Sequence, residues 1–133
     1  METQPETIEY LIQLKHAKLT FPPELDGQER RTKRNKYATQ IFQIAKEKLA
    51  QYPEIKILDE LSIAYTLLAQ STKDEFEKLY DVTVSYETFT VPNLNTGARQ
   101  ESDWKMHGTP KIPAGLENII VEIRLNQKIF LTD

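Results

Sequence analysis

From Ile119 onward the apolar residues fall on alternate positions: Ile119, Val121, Ile123, Leu125, Ile129 and Leu131, with Glu122, Arg124, Asn126, Lys128 and Thr132 between them. A period of two sets one side of a β-strand on a core and the other near water. Over the first eighty residues the apolar positions recur at three and four instead, so the chain reads as helices first and strands last.

The first predicted helix starts between Thr3 and Thr7, where Thr3 and Glu6 have capping-box spacing and Pro5 suits a first turn. Ile8, Leu11 and Ile12 mark its face, and it ends before Phe21-Pro22-Pro23, because proline disfavours helix in the residue before it. Asp26-Gly27 is a turn and a cap for a second helix over 28–51, with the stripe Ala38, Ile41, Phe42, Ala45, Leu49 and a stop at Pro53. Leu58, Leu61, Ala64, Tyr65 and Leu68 give a third helix over 57–70, although residues 54–57 also alternate like a short strand. Ser71 or Thr72 caps a short fourth helix carrying Phe76 and Leu79, and Thr72 with Glu75 has capping-box spacing.

Residues 81–91 are rich in Val, Thr, Tyr and Phe, which suit a pleated, half-buried surface. Val82, Val84 and Tyr86 share one face and Phe89 and Val91 the other, a parity switch that predicts a bulge near Glu87. Residues 93–115 have Asn, Gly and Pro punctuation and no periodicity, the mark of a long loop. Asn126-Gln127 either turns the terminal segment into a hairpin or lies within one long strand. The expected fold is α+β: three or four N-terminal helices, about residues 3–79, packed on a small, mostly antiparallel C-terminal sheet over about 80–133. The predicted core is Ile41, Phe42, Leu49, Leu61, Leu68, Val82, Val84, Ile119, Val121 and Ile123.

At 133 residues the chain fits one domain. It has no cysteine, which excludes disulfides, thiolate metal sites and thiol catalysis. The acidic, polar start lacks the basic and apolar run of a signal peptide, and no apolar stretch approaches the roughly 18 residues of a membrane span. The expectation is a cytoplasmic protein away from membranes. A net charge of −3 argues against a dedicated nucleic-acid binder.

Two constellations stand out. Arg30, Arg31, Lys33, Arg34 and Lys36 place five of seventeen basic residues within seven positions. They could neutralise phosphates or meet an acidic protein surface, or form a solvated helix face. Only Tyr37 is aromatic beside them, so base stacking lacks support from the sequence. Within the predicted loop, Trp104 sits near Arg99, Met106 and His107. A Trp in a polar stretch either anchors a partner or pins the loop to the core.

His16 and His107 are the only histidines, too few for a metal site without cysteine, and no catalytic motif or cofactor-binding loop is present. Ala64 to Leu68, followed by Ser71 to Tyr80-Asp81, resembles the end of a J-domain over fewer than twenty residues. The His-Pro-Asp signature is absent, and no function is carried over. The expected function is therefore a non-enzymatic protein-interaction module (an adaptor, inhibitor or regulatory subunit) acting through a sheet edge and the Trp104 loop, with self-association through a strand edge. The alternative is a nucleic-acid-associated protein using the basic cluster. A third reading is a small enzyme whose chemistry the sequence does not display.

Overall fold

The structure, a computed structural model, describes residues 4–16, 19–93, 95 and 97–127. In chain order the elements are β1 (Thr7–Leu14), α1 (Gly27–Leu49), β2 (Lys56–Leu61), a short 3-10 turn (Ser62–Ala64), β3 (Thr66–Thr72), α2 (Lys73–Tyr80), β4 (Thr83–Asn93), β5 (Gly97–His107) and β6 (Ile120–Leu125). β1, β2, β3 and β6 form one antiparallel sheet in the order β2-β3-β1-β6, and β4 and β5 form a separate hairpin.

The expected α+β arrangement of three or four N-terminal helices on a C-terminal sheet is overturned. Among the described residues there are two helices and six strands, and the first helix follows the first strand. The reason lies in β1. Ile8, Tyr10, Ile12 and Leu14 alternate, and all four are buried on one face. This period-two set competes with the three-and-four spacing of Ile8, Leu11 and Ile12, and pairing on both sides of the strand decides it. The expected third helix resolves into β2, the 3-10 turn and β3, where Leu67 and Ala69 face the core opposite Ile12 and Tyr10. The likeness to the end of a J-domain thus falls on a strand and one short helix.

α1 and α2 form where the chain offers both a cap and a stripe. Asp26 accepts a hydrogen bond from the Glu29 N–H at 2.8 Å, and Ala38, Phe42, Ala45 and Leu49 are the buried side of α1. Thr72 and Glu75 complete a reciprocal capping box on α2, which buries Phe76 and Tyr80 and ends at Asp81 with φ +47°.

The centre of the core is an aromatic triangle of Tyr10, Phe76 and Tyr80. All three pairs meet edge to face, with ring centroids 4.9–5.4 Å apart. The two buried phenols are satisfied in series. Tyr80 Oη donates to Tyr10 Oη at 2.8 Å, Tyr10 Oη donates to Ser71 Oγ at 2.8 Å, and Ser71 Oγ donates to the Glu54 carbonyl at 2.7 Å. Desolvation is the main cause that raises both phenol pKa values, which keeps both hydroxyls protonated and able to donate.

The C-terminal half departs from expectation in three places. Residues 97–107, expected within a loop over 93–115, are strand β5, paired with β4 over eleven consecutive positions. That unbroken register also rules out the bulge near Glu87. Val91 is buried on the face opposite Val84, outside the main core. In β6 the pairing runs Gln13 with Glu122 and then Leu14 with Ile120. Val121 is the extra residue of a bulge and is 50% exposed, while Ile120 and Ile123 are buried. Leu61, another expected core residue, is 39% exposed at the end of edge strand β2. Phe42, Leu49, Val82, Val84 and Ile123 are buried as expected, and Ile41 and Ile119 are partly buried against the core. Lys128, Ile129 and Leu131 lie outside the described residues, and so does the choice between a hairpin and a long strand after Asn126. Among the described residues no helix is long and apolar enough to cross a membrane.

Two outcomes follow from this packing. Tyr10→Phe removes the middle of the hydroxyl series and strands the Tyr80 donor, so it should cost about 1–3 kcal/mol of unfolding free energy. Tyr80→Phe leaves the rest of the series intact and should cost less. Urea unfolding of both variants gives the order, and a larger loss for Tyr80→Phe would contradict it.

Asp81 and Lys111 form an exposed pair with Nζ to Oδ2 at 2.8 Å. The Lys111 hydrogen bond and charge hold the Asp81 carboxyl below its ordinary 3.8, and Asp81 raises Lys111 above 10.5. Stability from Asp81 is therefore present above pH 3.8 and is lost as pH falls through its lowered folded value. Stability from Lys111 is present below pH 10.5 and is lost as pH rises through its raised value. A carboxyl titration followed by NMR should show Asp81 moving back toward 3.8 in Lys111→Met; an unchanged midpoint would mean that the pair does not form.

Candidate functional site

The stripe on α1 does not stop where the core does. Ala38, Phe42, Ala45 and Leu49 continue back toward the N-terminus, at the same three-and-four spacing, through Asn35, Arg34 and Arg31. The first half of α1 has no buried residue, so where the core-facing side runs off the core its residues change from apolar to basic.

Arg31, Arg34, Asn35 and Ala38 form one wall of a cleft of about 290 Å³, and Ser62 and Tyr65 form the other. Tyr65 is held in the left-handed region at φ +48°. A non-glycine residue there costs of order 1–3 kcal/mol and persists only when its surroundings fix it. Its carbonyl accepts from the Leu14 N–H at 2.9 Å, and its N–H donates to the Ser62 carbonyl at 3.3 Å. Its ring stacks on His16, with centroids 4.0 Å apart and planes 14° apart, and Tyr37 meets it edge-on at 6.1 Å. His16 is exposed, so this short aromatic stack ends at solvent.

The cations are not equivalent. Arg34 lies over the Phe21 ring, its guanidinium carbon 5.3 Å from the centroid. Arg30 reaches the Pro22 carbonyl at 3.5 Å, and its Nε is enclosed without a hydrogen-bond partner. Lys33 borders a different hollow beside Leu25, Asp26 and Glu29, and Lys36 is exposed. Among the described residues none of the five forms an ion pair. Asp26 and Glu29 sit at the start of α1, where they answer the helix dipole and leave the arginines a turn further on unneutralised.

The second sequence-predicted group does not come together. Arg99, Trp104, Met106 and His107 all lie on β5, but Arg99 and His107 are separated by roughly 27 Å of extended strand. Trp104 is 6% exposed, packs edge to face on Tyr86 at 5.3 Å and belongs to the core, with Met106 half-buried beside it. The Trp104 carbonyl accepts from Gln127 Nε2 at 3.1 Å. Arg99 Nε donates to Glu101 at 3.0 Å.

His107 takes part in a contact the sequence reading missed. Ser85 Oγ lies 2.6 Å from His107 Nε2 and 2.5 Å from Glu87 Oε2, which is itself 3.3 Å from the same Nε2. A nucleophile relay needs the carboxylate on the opposite ring nitrogen, orienting the base. Here all three groups converge on one nitrogen at a half-exposed hairpin surface, so the cluster braces the hairpin. The Ser85 hydrogen bond is the first cause that holds the Glu87 carboxyl below its ordinary range. Among the described residues no group of three or more histidines and carboxylates is placed to hold a metal.

No protein-family model, curated protein or solved structure matches this chain, so the arginine–aromatic cleft is read from its own geometry.

Because Trp104 is packed inside β5, Trp104→Ala should destabilise by about 3–5 kcal/mol. Amides 102–106 should also exchange slowly in the protein alone, as paired strand does. Early exchange across these residues would contradict the pairing of β5 with β4.

Proposed function

We propose that the protein is a non-enzymatic interaction module that holds an anionic partner against the Arg31–Arg34 side of α1. The observation that carries this reading is the change of the α1 core stripe into arginines that no ion pair among the described residues neutralises. A bare apolar continuation would favour an apolar partner, whereas guanidinium groups over a half-walled cleft favour carboxylate or phosphate, which they grip through two parallel N–H donors. The net charge of −3 does not oppose this, because the field at the cleft is set by the nearest charges, and more distant exposed ones are screened.

The interaction class expected from the sequence is kept, with its surface moved. Trp104 is taken up by the core. The β2 edge carries a register shift at Leu58, which blunts it for strand pairing, and β6 lies beside β5.

Heparin chromatography of the whole chain tests the reading. The protein should be retained and elute with salt. Arg31→Gln/Arg34→Gln should elute earlier, while Lys33→Gln/Lys36→Gln, which removes equal charge away from the cleft, should shift elution less. A larger shift from the lysine pair, or no retention of the unaltered chain, would overturn it.

A further inference from the structure

The cleft contains more than charge, and resting on the anionic-partner reading we infer that its ligand is single-stranded nucleic acid, with one base stacked on His16 and the flanking phosphates on Arg31 and Arg34. An acidic peptide would use the arginines and ignore the rings. A base uses both, because every base has a flat face that stacks on an aromatic ring whatever its sequence.

The rings are placed for this by the chain itself. His16 lies two residues beyond the end of β1, and Tyr65 is the left-handed residue immediately before β3, the strand paired with β1, so that pairing brings together two rings 49 positions apart in sequence. Tyr65 keeps a strained backbone while its ring supports His16 from beneath and Tyr37 meets the edge of that ring. The result is a supported imidazole with its plane fixed and its outer side at solvent. That arrangement is uncommon for an exposed histidine, which ordinarily keeps its rotamer freedom. Arg31 and Arg34 border the same Tyr65 ring across the cleft.

Two features favour a strand over a lone nucleotide. The basic run from Arg30 to Lys36 spans about 9 Å of helix, longer than one phosphate group needs. The first half of α1, which carries that run, also has no buried residue, so its length is accessible to a chain-like ligand. A paired duplex keeps its base faces inside its own stack and has none to give His16.

Fluorescence anisotropy with the whole chain tests this, using a labelled oligouridylate, the same strand annealed into a duplex, free uridine monophosphate, and inorganic polyphosphate as an anion without bases. The single strand should bind most tightly. His16→Ala should weaken it about tenfold, the loss expected for one stacked base, and leave polyphosphate binding unchanged. His16→Phe, which keeps a flat ring, should restore binding, and buried Trp104 emission confirms that each variant is folded. Single-strand binding that His16→Ala leaves unchanged would overturn the inference. So would duplex or uridine monophosphate bound as tightly as the strand. Polyphosphate binding without strand binding would overturn the nucleic-acid inference and leave the anionic-partner reading standing. Binding of neither would overturn both.

Discussion

α1 rises about 34 Å along its axis, and only the half from Ala38 onward has a core to cover. That mismatch between one helix and the small sheet beneath it governs the rest of the molecule. The C-terminal half supplies Ala38, Phe42, Ala45 and Leu49 to the core and is held there by burial. The N-terminal half gains nothing from apolar residues, because there is no sheet under them, and its core-facing positions are free to be arginine and asparagine. The 3-10 turn at Ser62 and the strained residue Tyr65 come up against this overhang and make it a cleft, and His16 stacks on the Tyr65 ring.

The sheet can be small because β1 is bound on both sides and fixed through its centre. Tyr10 stacks on neither neighbour; it meets Phe76 and Tyr80 edge to face while its hydroxyl both accepts and donates. The series from Tyr80 through Tyr10 and Ser71 to the Glu54 carbonyl links α2, β1, β3 and the approach to β2 without leaving either buried phenol short of a partner. Burying a hydroxyl without a bond is costly, so the series constrains which helix position meets which strand position. It thereby holds β1 and β3 in the register that sets His16 against Tyr65.

Parts of this were legible in the sequence. α1 and both helix caps were, because the stripe repeats over several turns and Asp26, Thr72 and Glu75 have capping spacing. β1 was not, because eight residues with Ile8, Leu11 and Ile12 satisfy both periods. β3 was obscured by the adjacent apolar residues Leu67 and Leu68, one facing the core and one partly buried on the other side. β5 has few apolar residues and is held by backbone pairing with β4, which leaves little periodic trace. In β6 the alternation was real, but one bulge turned Val121 outward. The basic cluster was visible as charge. Its aromatic neighbours were not, since Tyr65 faces Arg31 and Arg34, and His16 stacks on Tyr65, only through strand pairing and a left-handed turn.

On the proposed reading, ligand binding belongs to the overhanging half of α1 and the His16–Tyr65 stack. Backbone amide chemical shifts, recorded by NMR while an oligouridylate is titrated into the whole chain, locate that surface directly. The largest changes are expected on His16, on residues 31–38 and on residues 62–66, with β5 and the β2 edge still. Changes concentrated on residues 97–107 or on β2, with α1 unmoved, would contradict that reading.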